Sequence, residues 1–538
     1  MRASVKDPEI VFRRRWLTVV VICTSLMVIA LDNTILNVAL PTLSRQLHAS
    51  TSSLQWIVDI YTLVFAGLLL TTGSLGDRFG RYRGLAVGLV IFGTGSLASA
   101  LSGSAGVLIA TRAFMGIGAA FIMPATLSII TNLFTDPIER AKAIGIWAGL
   151  SALGLAIGPV AGGFLLAHFY WGSVFFVNVP IVVVSLIGGW FLVPDSRDPS
   201  APKLDPIGAL LSIAGLATVL WAVIEAPVRG WGSTDILIGF AVGAAILFGF
   251  VQWELHTSSP MLDVHFFENP RFTAASVAIT LTFFTLFGSL FVMTAYLQSV
   301  LGLSALKAGA VLVPMAAGTM LMALSSSTFV LRFGNKIVVG TGLFVVSVSM
   351  ALFALTSAHT SIWLVMGATT VLGMGMGLTF APATDSIMGS LPKEKAGVGS
   401  AMNDTTRQTG GAIGVAVLGS IMASRYAAAV VRASAAAHLP AALTTAIKGN
   451  VGQAVSIAHS AQAGAHATVI LAIARSSYVS ALHASVLVGA VVMLVATVGV
   501  FIWLPARAIE SSAVIVELED EDRDDGALDD MFPVLEAG

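Results

Sequence analysis

Residues Gly73 to Arg83 read GSLGDRFGRYR, a charged, glycine-punctuated segment between two long apolar runs. Asp77, Arg78, Arg81 and Arg83 fall close together in a chain of which only 11% is charged. Charge is costly in hydrocarbon, so this cluster belongs in water or at a membrane surface. The apolar runs on either side then start at that surface, and the segment is a turn between two membrane spans.

The rest of the chain agrees. It has 538 residues, is 56% hydrophobic and has a mean hydropathy of +0.89, far from a soluble protein. Apolar runs of about 20 residues recur from Trp16 to Leu504, each enough to cross roughly 30 Å of hydrocarbon as a helix. Helices satisfy their own backbone groups in lipid, and the polar/apolar alternation of barrel strands is absent. The expected fold class is an all-α integral membrane protein with spans at about 16–39, 54–74, 84–104, 106–130, 142–167, 174–193, 206–225, 234–253, 271–295, 305–329, 337–356, 361–385, 398–423 and 480–504. Arg13, Arg14 and Arg15 precede the first run as in a signal peptide. That run ends in LDNTILNVALP without a small-residue cleavage pattern, so it reads as a retained helix. The single cysteine, Cys23, rules out an internal disulfide.

Cation placement orients the chain. With the N-terminus inside, 19 of the 28 Lys and Arg residues lie in cytoplasmic segments, and Arg112 and Arg407 lie within spans. Both termini are then cytoplasmic, in an inner or plasma membrane. The tail from Ala506 is acidic and reads as solvated.

An internal repeat follows from position. Arg78-Phe79-Gly80 maps onto Arg332-Phe333-Gly334 at an offset of 254, and Pro137 to Ala141 maps onto Pro392 to Ala396 at 255, both pairs in equivalent loops. Both copies begin on the same side, which implies parallel repeats of six spans about an axis along the membrane normal. The expected organisation is a first half over 1–195, a linker and two inserted helices over 196–270, and a second half over 271–505. A long outer loop covers about 424–479 within that half, and a tail covers 506–538.

Two parallel six-span halves with this turn between the second and third spans resemble the major facilitator superfamily. Gly73, Leu75, Asp77, Arg78, Gly80, Arg81 and Arg83 match its loop signature, with Tyr82 as a departure. Leu31 to Pro41, Leu108 to Ala120 (with Met115 where the pattern has Gln), Gly154 to Gly163 and Pro392 to Gly414 resemble signatures of the fourteen-span drug/proton antiporter branch. The resemblance implies a secondary transporter, with the proton as coupling ion and no other cofactor.

Five charged residues are candidates for proton coupling or the cavity. Asp32 lies roughly 24 Å along the first span from Trp16, and Arg112 lies at comparable depth in the fourth. The two either exchange contacts as a proton comes and goes or form a fixed ion pair. Asp404 and Arg407 share a helical face three residues apart, as a second ion site or a plain salt bridge. Asp59, near the outer end of the second span, is a further candidate or simply hydrated. Gly154, Gly158 and Gly162 form a small-residue stripe beside Pro159 and Gly163. The resemblance assigns this stripe to sealing antiporters against leak, and ordinary helix packing explains it equally.

The resemblance also gives Asp77 a gating partner at the start of the thirteenth span, around Ala396 to Gly399. Leu331 stands at the matching place in the second half, so this lock is one-sided. Arg78, Arg81 and Arg83 also serve as cytoplasmic retention charges.

No phosphate-binding loop of the G-x-x-x-x-G-K-[ST] type and no acid–histidine pair at catalytic spacing occurs. An ATP-driven pump and an enzyme are therefore unsupported, and nothing points to a metal or to nucleic acid. The expected partners are the bilayer and a small-molecule substrate. The expected function is proton-coupled efflux of amphipathic or cationic compounds by alternating access. Export of a lipid, peptide or siderophore-like metabolite, or a non-transporting sensor on the same scaffold, are the alternatives.

Overall fold

In the computed structural model, residues 8–134, 136–196, 205–260, 262, 264–390 and 396–504 are described. Fourteen long helices follow in order: α1 Pro8–Gln46, α2 Thr51–Phe79, α3 Arg81–Ala100, α4 Ala105–Leu133, α5 Pro137–His168, α6 Asn178–Leu192, α7 Pro206–Arg229, α8 Thr234–His256, α9 Pro270–Ala295, α10 Val313–Phe333, α11 Asn335–Phe353, α12 Ile362–Met388, α13 Ala396–Ala436 and α14 Ala467–Trp503. Thirteen spans among the described residues are long and apolar enough to cross a membrane. The remaining long helix, α5, contributes the shorter apolar stretch Ile157–His168.

Two devices set the helix ends. Ser50 caps α2 by accepting the Ser53 amide at 3.1 Å, which satisfies one of the four free donors of a helix start. Gly80 ends α2 at φ +122° and Gly334 ends α10 at φ +82°, backbone angles that a side chain would strain. These are the two glycines that the repeat superposes. At Gly80 space is as restrictive as conformation, because an added Cβ would sit 2.5 Å from Asp195 Oδ1.

The same packing scheme recurs on both sides of the molecule. α5 lies along α1, α2 along α4 and α3 along α4. Likewise α13 lies along α9, α10 along α12 and α11 along α12. The inserted helix α7 touches α2 and α13, and α8 packs mainly on α7, leaving apolar side chains such as Leu237, Val242 and Phe248 exposed where lipid covers them.

We call the end where α1 stops and α2 starts the distal end. There the halves are joined by short-range contacts. Gln55 Nε2 on α2 donates to the Val415 and Ala416 carbonyls of α13 at 3.1 and 3.0 Å. Gln298, in the π-helical turn Tyr296–Val300 that extends α9, donates to the Val38 carbonyl at 2.8 Å. α5 meets the short helix Ala305–Val311 that leads into α10. An added Cβ at Gly163 would lie 2.5 Å from Leu306 Cα, and one at Gly309 would collide with the Pro159 carbonyl oxygen.

α13 and α14 run well into the segment expected as a long loop, because its Ala-rich flanks favour helix. The connection between them narrows to about 437–466 and holds two short helices, Ala441–Ile447 and Val451–Ala458.

Candidate functional site

Five helices of the first half converge on one buried ion pair. Arg112 Nη1, from α4, donates to Asp32 Oδ2, from α1, at 2.5 Å, and the two side chains are 1% and 0% exposed. The guanidinium is held on further sides. Its Nε donates to the Ile57 carbonyl at 3.1 Å, and it lies 4.2 Å from the Tyr61 ring centroid, both on α2. Asn178, at the start of α6, donates to Asp32 Oδ1 at 3.3 Å and to Ser96 Oγ of α3 at 3.0 Å.

Met115 stands one helical turn from Arg112, and its sulfur accepts from Ser99 Oγ at 3.4 Å. It thus takes a weak-acceptor place in the same cluster. Charges buried this deeply persist only when paired and hydrogen-bonded, and here both conditions hold. The pair therefore sits inside the first bundle, closed off from water.

Asp59 is also fully buried, so it is not a hydrated residue at a helix end. Neither of its carboxyl oxygens has a hydrogen-bond partner among the described residues. It sits on α2 two residues from Tyr61, whose ring faces Arg112.

The second half carries the other predicted pair. Arg407 Nη1 and Asp404 Oδ1 are 3.1 Å apart on α13, with side chains 20% and 10% exposed. The guanidinium lies against a pair of rings that meet edge to face with centroids 5.8 Å apart, 4.8 Å from the Phe283 centroid on α9 and 4.7 Å from Phe380 on α12. Such stacking suits a planar, weakly hydrated cation.

The glycine stripes set how closely the helices approach. On α5, a Cβ at Gly154, Gly158 or Gly162 would collide with Ala30, Thr34 or Ile35 of α1, the closest contact being with Thr34 Oγ1. On α13, Gly410 and Gly414 lie equally tight against Thr280 and Phe284 of α9. The α5 stripe thus presses on α1 just beside Asp32, while Pro159 sits at the junction with the other half.

At the opposite end, the turn expected over Gly73 to Arg83 narrows to Gly80, since α2 continues to Phe79 and α3 starts at Arg81, and this corner is fastened to the segment following α6. Arg83 Nε pairs with Asp195 Oδ2 at 3.2 Å, the Arg81 amide donates to the Ser196 carbonyl at 3.0 Å, and Arg81 Nη1 reaches the Ser128 carbonyl at 3.4 Å. Gly73 packs against Pro124 of α4, and the Arg78 backbone belongs to the last turn of α2. The Asp77 side chain and those of Ala396 to Gly399 lie outside the described residues, as does the acidic tail.

Sequence reasoning missed Asn178, Tyr61, Gln55 and the Phe283/Phe380 pair. Each is neutral, so none interrupts the hydropathy of its helix. An amide within an apolar run was the available signal for Asn178 and Gln55.

Comparison with known proteins fits this arrangement. The family model described as Major Facilitator Superfamily matches residues 22–415. The chain belongs to the Major Facilitator Superfamily. Among curated relatives of this superfamily, it is 37% identical over 487 residues to the multidrug efflux pump LfrA of Mycolicibacterium smegmatis, covering 90% of this chain and 95% of that one. It is 34% identical over 508 residues to the tetracenomycin C resistance and export protein of Streptomyces glaucescens, covering 91% of each. It is 35% identical over 452 residues to the methyl viologen resistance protein SmvA of Salmonella typhimurium, covering 83% and 90%.

Among solved structures, a bacterial homologue of the human lysosomal transporter Spinster superposes with a TM-score of 0.66 at 16% identity, covering 92% of this chain and 99% of that one. The all-helical transporter fold of the superfamily, rather than an enzyme fold, is therefore the architecture of this multi-pass membrane protein.

Proposed function

We propose that the chain is a proton-coupled exporter of amphipathic or cationic compounds that works by alternating access. The observation that carries this is the enclosed Asp32–Arg112 pair, a carboxylate whose charged partner among the described residues is 2.5 Å away. A proton on Asp32 cancels the charge that Arg112 answers. The guanidinium then leans on the Ile57 carbonyl and the Tyr61 ring, and α1 is freed to shift against α4. Coupling needs that change of partner between two arrangements. Asp59, buried on α2 but two residues from both Ile57 and Tyr61 and so turned from the face that meets Arg112, is a second, separate proton carrier.

The relatives support the substrate class, since their names cover multidrug efflux, tetracenomycin C export and resistance to methyl viologen, a cationic bipyridinium. In this scheme Asp404 and Arg407 form the charged face that the second half offers to the pathway. The Gly154 to Gly163 stretch seals it on the distal side. Cation placement sets both termini in the cytoplasm of a cell with this protein in its inner or plasma membrane. The distal end is then the outer one, closed in this conformation, and the stretch from Gly73 to Arg83, the end of α2 and the start of α3 around a sharp turn at Gly80, is the inner gate.

Asp32→Asn tests the proposal. It preserves shape and Asn178 contact but removes the titration. Liposomes carrying the variant, given an imposed pH gradient and a fluorescent cationic dye, are expected to lose proton-driven dye movement at unchanged protein content. Gradient-driven transport at the parent rate rules out the role of Asp32.

A further inference from the structure

The connection between α13 and α14 belongs by sequence to the second half, yet it bonds into the first. Asn450 is 7% exposed and sits at the centre of the contact. Its Oδ1 accepts the Gln453 amide at 2.8 Å, capping the short helix Val451–Ala458. The same oxygen accepts Ser44 Oγ, near the end of α1, at 2.8 Å. Its Nδ2 donates to the Ala49 carbonyl in the turn between α1 and α2, again at 2.8 Å.

Gln453 Nε2 adds a bond to the His48 carbonyl at 3.0 Å, and Thr51 Oγ1 donates back to the Gly449 carbonyl at 3.0 Å. His48 holds a positive φ of 50° within that turn. Gly452 leaves no slack, because a Cβ there would lie 2.9 Å from Ser44 Oγ. On its other side the segment is anchored to its own half, where Tyr426 OH donates to the Ile447 carbonyl at 3.1 Å.

Beneath this strap lies a cavity of about 50 Å³ between the halves, lined among others by Leu40, Leu54, Phe291, Ser299, Tyr426 and Tyr478. Asn450, Val451 and Gly452 form part of its wall. Its tyrosine hydroxyls are already committed, Tyr426 to Ile447 and Tyr478 to the Val292 carbonyl at 2.7 Å. What remains facing the space is mostly apolar, with no charged side chain in the lining.

We propose that the segment 437–466 is a latch on the outer gate. Asn450 ties the second half to the α1–α2 turn while the distal end is closed, and its release opens the cavity below as the exit vestibule. The bonds are between neutral groups, each of modest net strength in competition with water. That suits a contact that must part once per cycle, whereas a buried ion pair would hold. The proposal rests on the alternating-access reading above.

The first test reads the latch without any substrate. In a Cys23→Ala background, Ser299→Cys is labelled from outside by a thiol reagent that does not cross membranes. Adding Asn450→Ala is expected to raise the labelling rate about tenfold, the scale of one or two lost hydrogen bonds. Gln453→Ala, on the surface of the strap, gives a smaller rise and serves where Asn450→Ala reduces protein content. An unchanged rate in both variants overturns the latch.

The second test joins Ser44→Cys to Asn450→Cys by oxidation or a short bifunctional thiol reagent. Dye flux is expected to stop and to return on reduction, and full flux in fully joined protein overturns the proposal. Absence of flux in the reduced protein overturns the transport reading instead, and the labelling rates still decide the latch.

Discussion

Arg112 and Arg407 show how a guanidinium is kept inside a membrane bundle in two different ways. Arg112 is matched by a carboxylate, a carbonyl, the Tyr61 ring at 4.2 Å and, farther off, the Phe175 ring at 5.9 Å. Arg407 has a carboxylate but relies on two rings for the rest of its surroundings. Lysine can replace the charge at the second site but not the planar cation that lies against the Phe283 and Phe380 pair. Arg407→Lys is therefore expected to lower efflux and to reduce thermal stability by about 1–2 kcal/mol, in line with the loss of desolvated cation–π contact. A transport assay beside a detergent melting curve checks it. Parent values in both assign the rings a role in packing alone.

At the scale of helices, the stripe of α5 against α1 is the most demanding contact near Asp32. A methyl group at Gly158 would overlap Thr34 Oγ1 and crowd the Ile35 backbone. Gly158→Ala is expected to cost about 1–3 kcal/mol as overpacking. Adding Thr34→Ala removes the nearest atom and is expected to recover part of that loss, a coupling that the double-mutant cycle measures by melting. Strict additivity places the strain elsewhere.

This contact also marks how far the sequence could be read. Glycines every fourth residue announced a close approach, but not that the partner was α1. Asp32 and Arg112 were legible because a charge in an apolar run stands out and its depth follows from counting residues. Asn178, Tyr61 and Gln55 were not, since a neutral polar group barely alters hydropathy although it finishes the hydrogen bonding of the pair and of the distal seal. The loop between α13 and α14 was overlong in the sequence for a related reason. The drop in hydropathy after about residue 423 does not end the helix, because the backbone continues through alanines until His438, Leu439 and Pro440 turn it.

For the whole molecule, the distal contacts are the described half of a proposed balance between two ends. At the distal end, Gln55 joins α2 to α13 through two carbonyls, Gln298 joins α9 to α1, and α5 meets the short helix before α10. At the other end, the resemblance to the superfamily's loop signature implies the matching task for Asp77, on the last turns of the same α2, and Asp77→Asn tests it. A helix that carries one lock at each end acts as a lever, and the populations of the two states follow the difference between the locks. Removing them one at a time should then move the equilibrium in opposite directions.

Gln55→Ala is expected to populate the form open at the distal end, and Asp77→Asn the form open at the other. The double variant should return towards the parent distribution with faster exchange between the two. Spin labels on α2 and α13, one pair near each end, read both distances in one preparation by pulsed dipolar spectroscopy. The prediction requires the two distance distributions to shift in opposite senses in the single variants. Shifts of the same sense, or a distal distance unmoved by Gln55→Ala, would mean that α2 is not the element through which the two gates communicate.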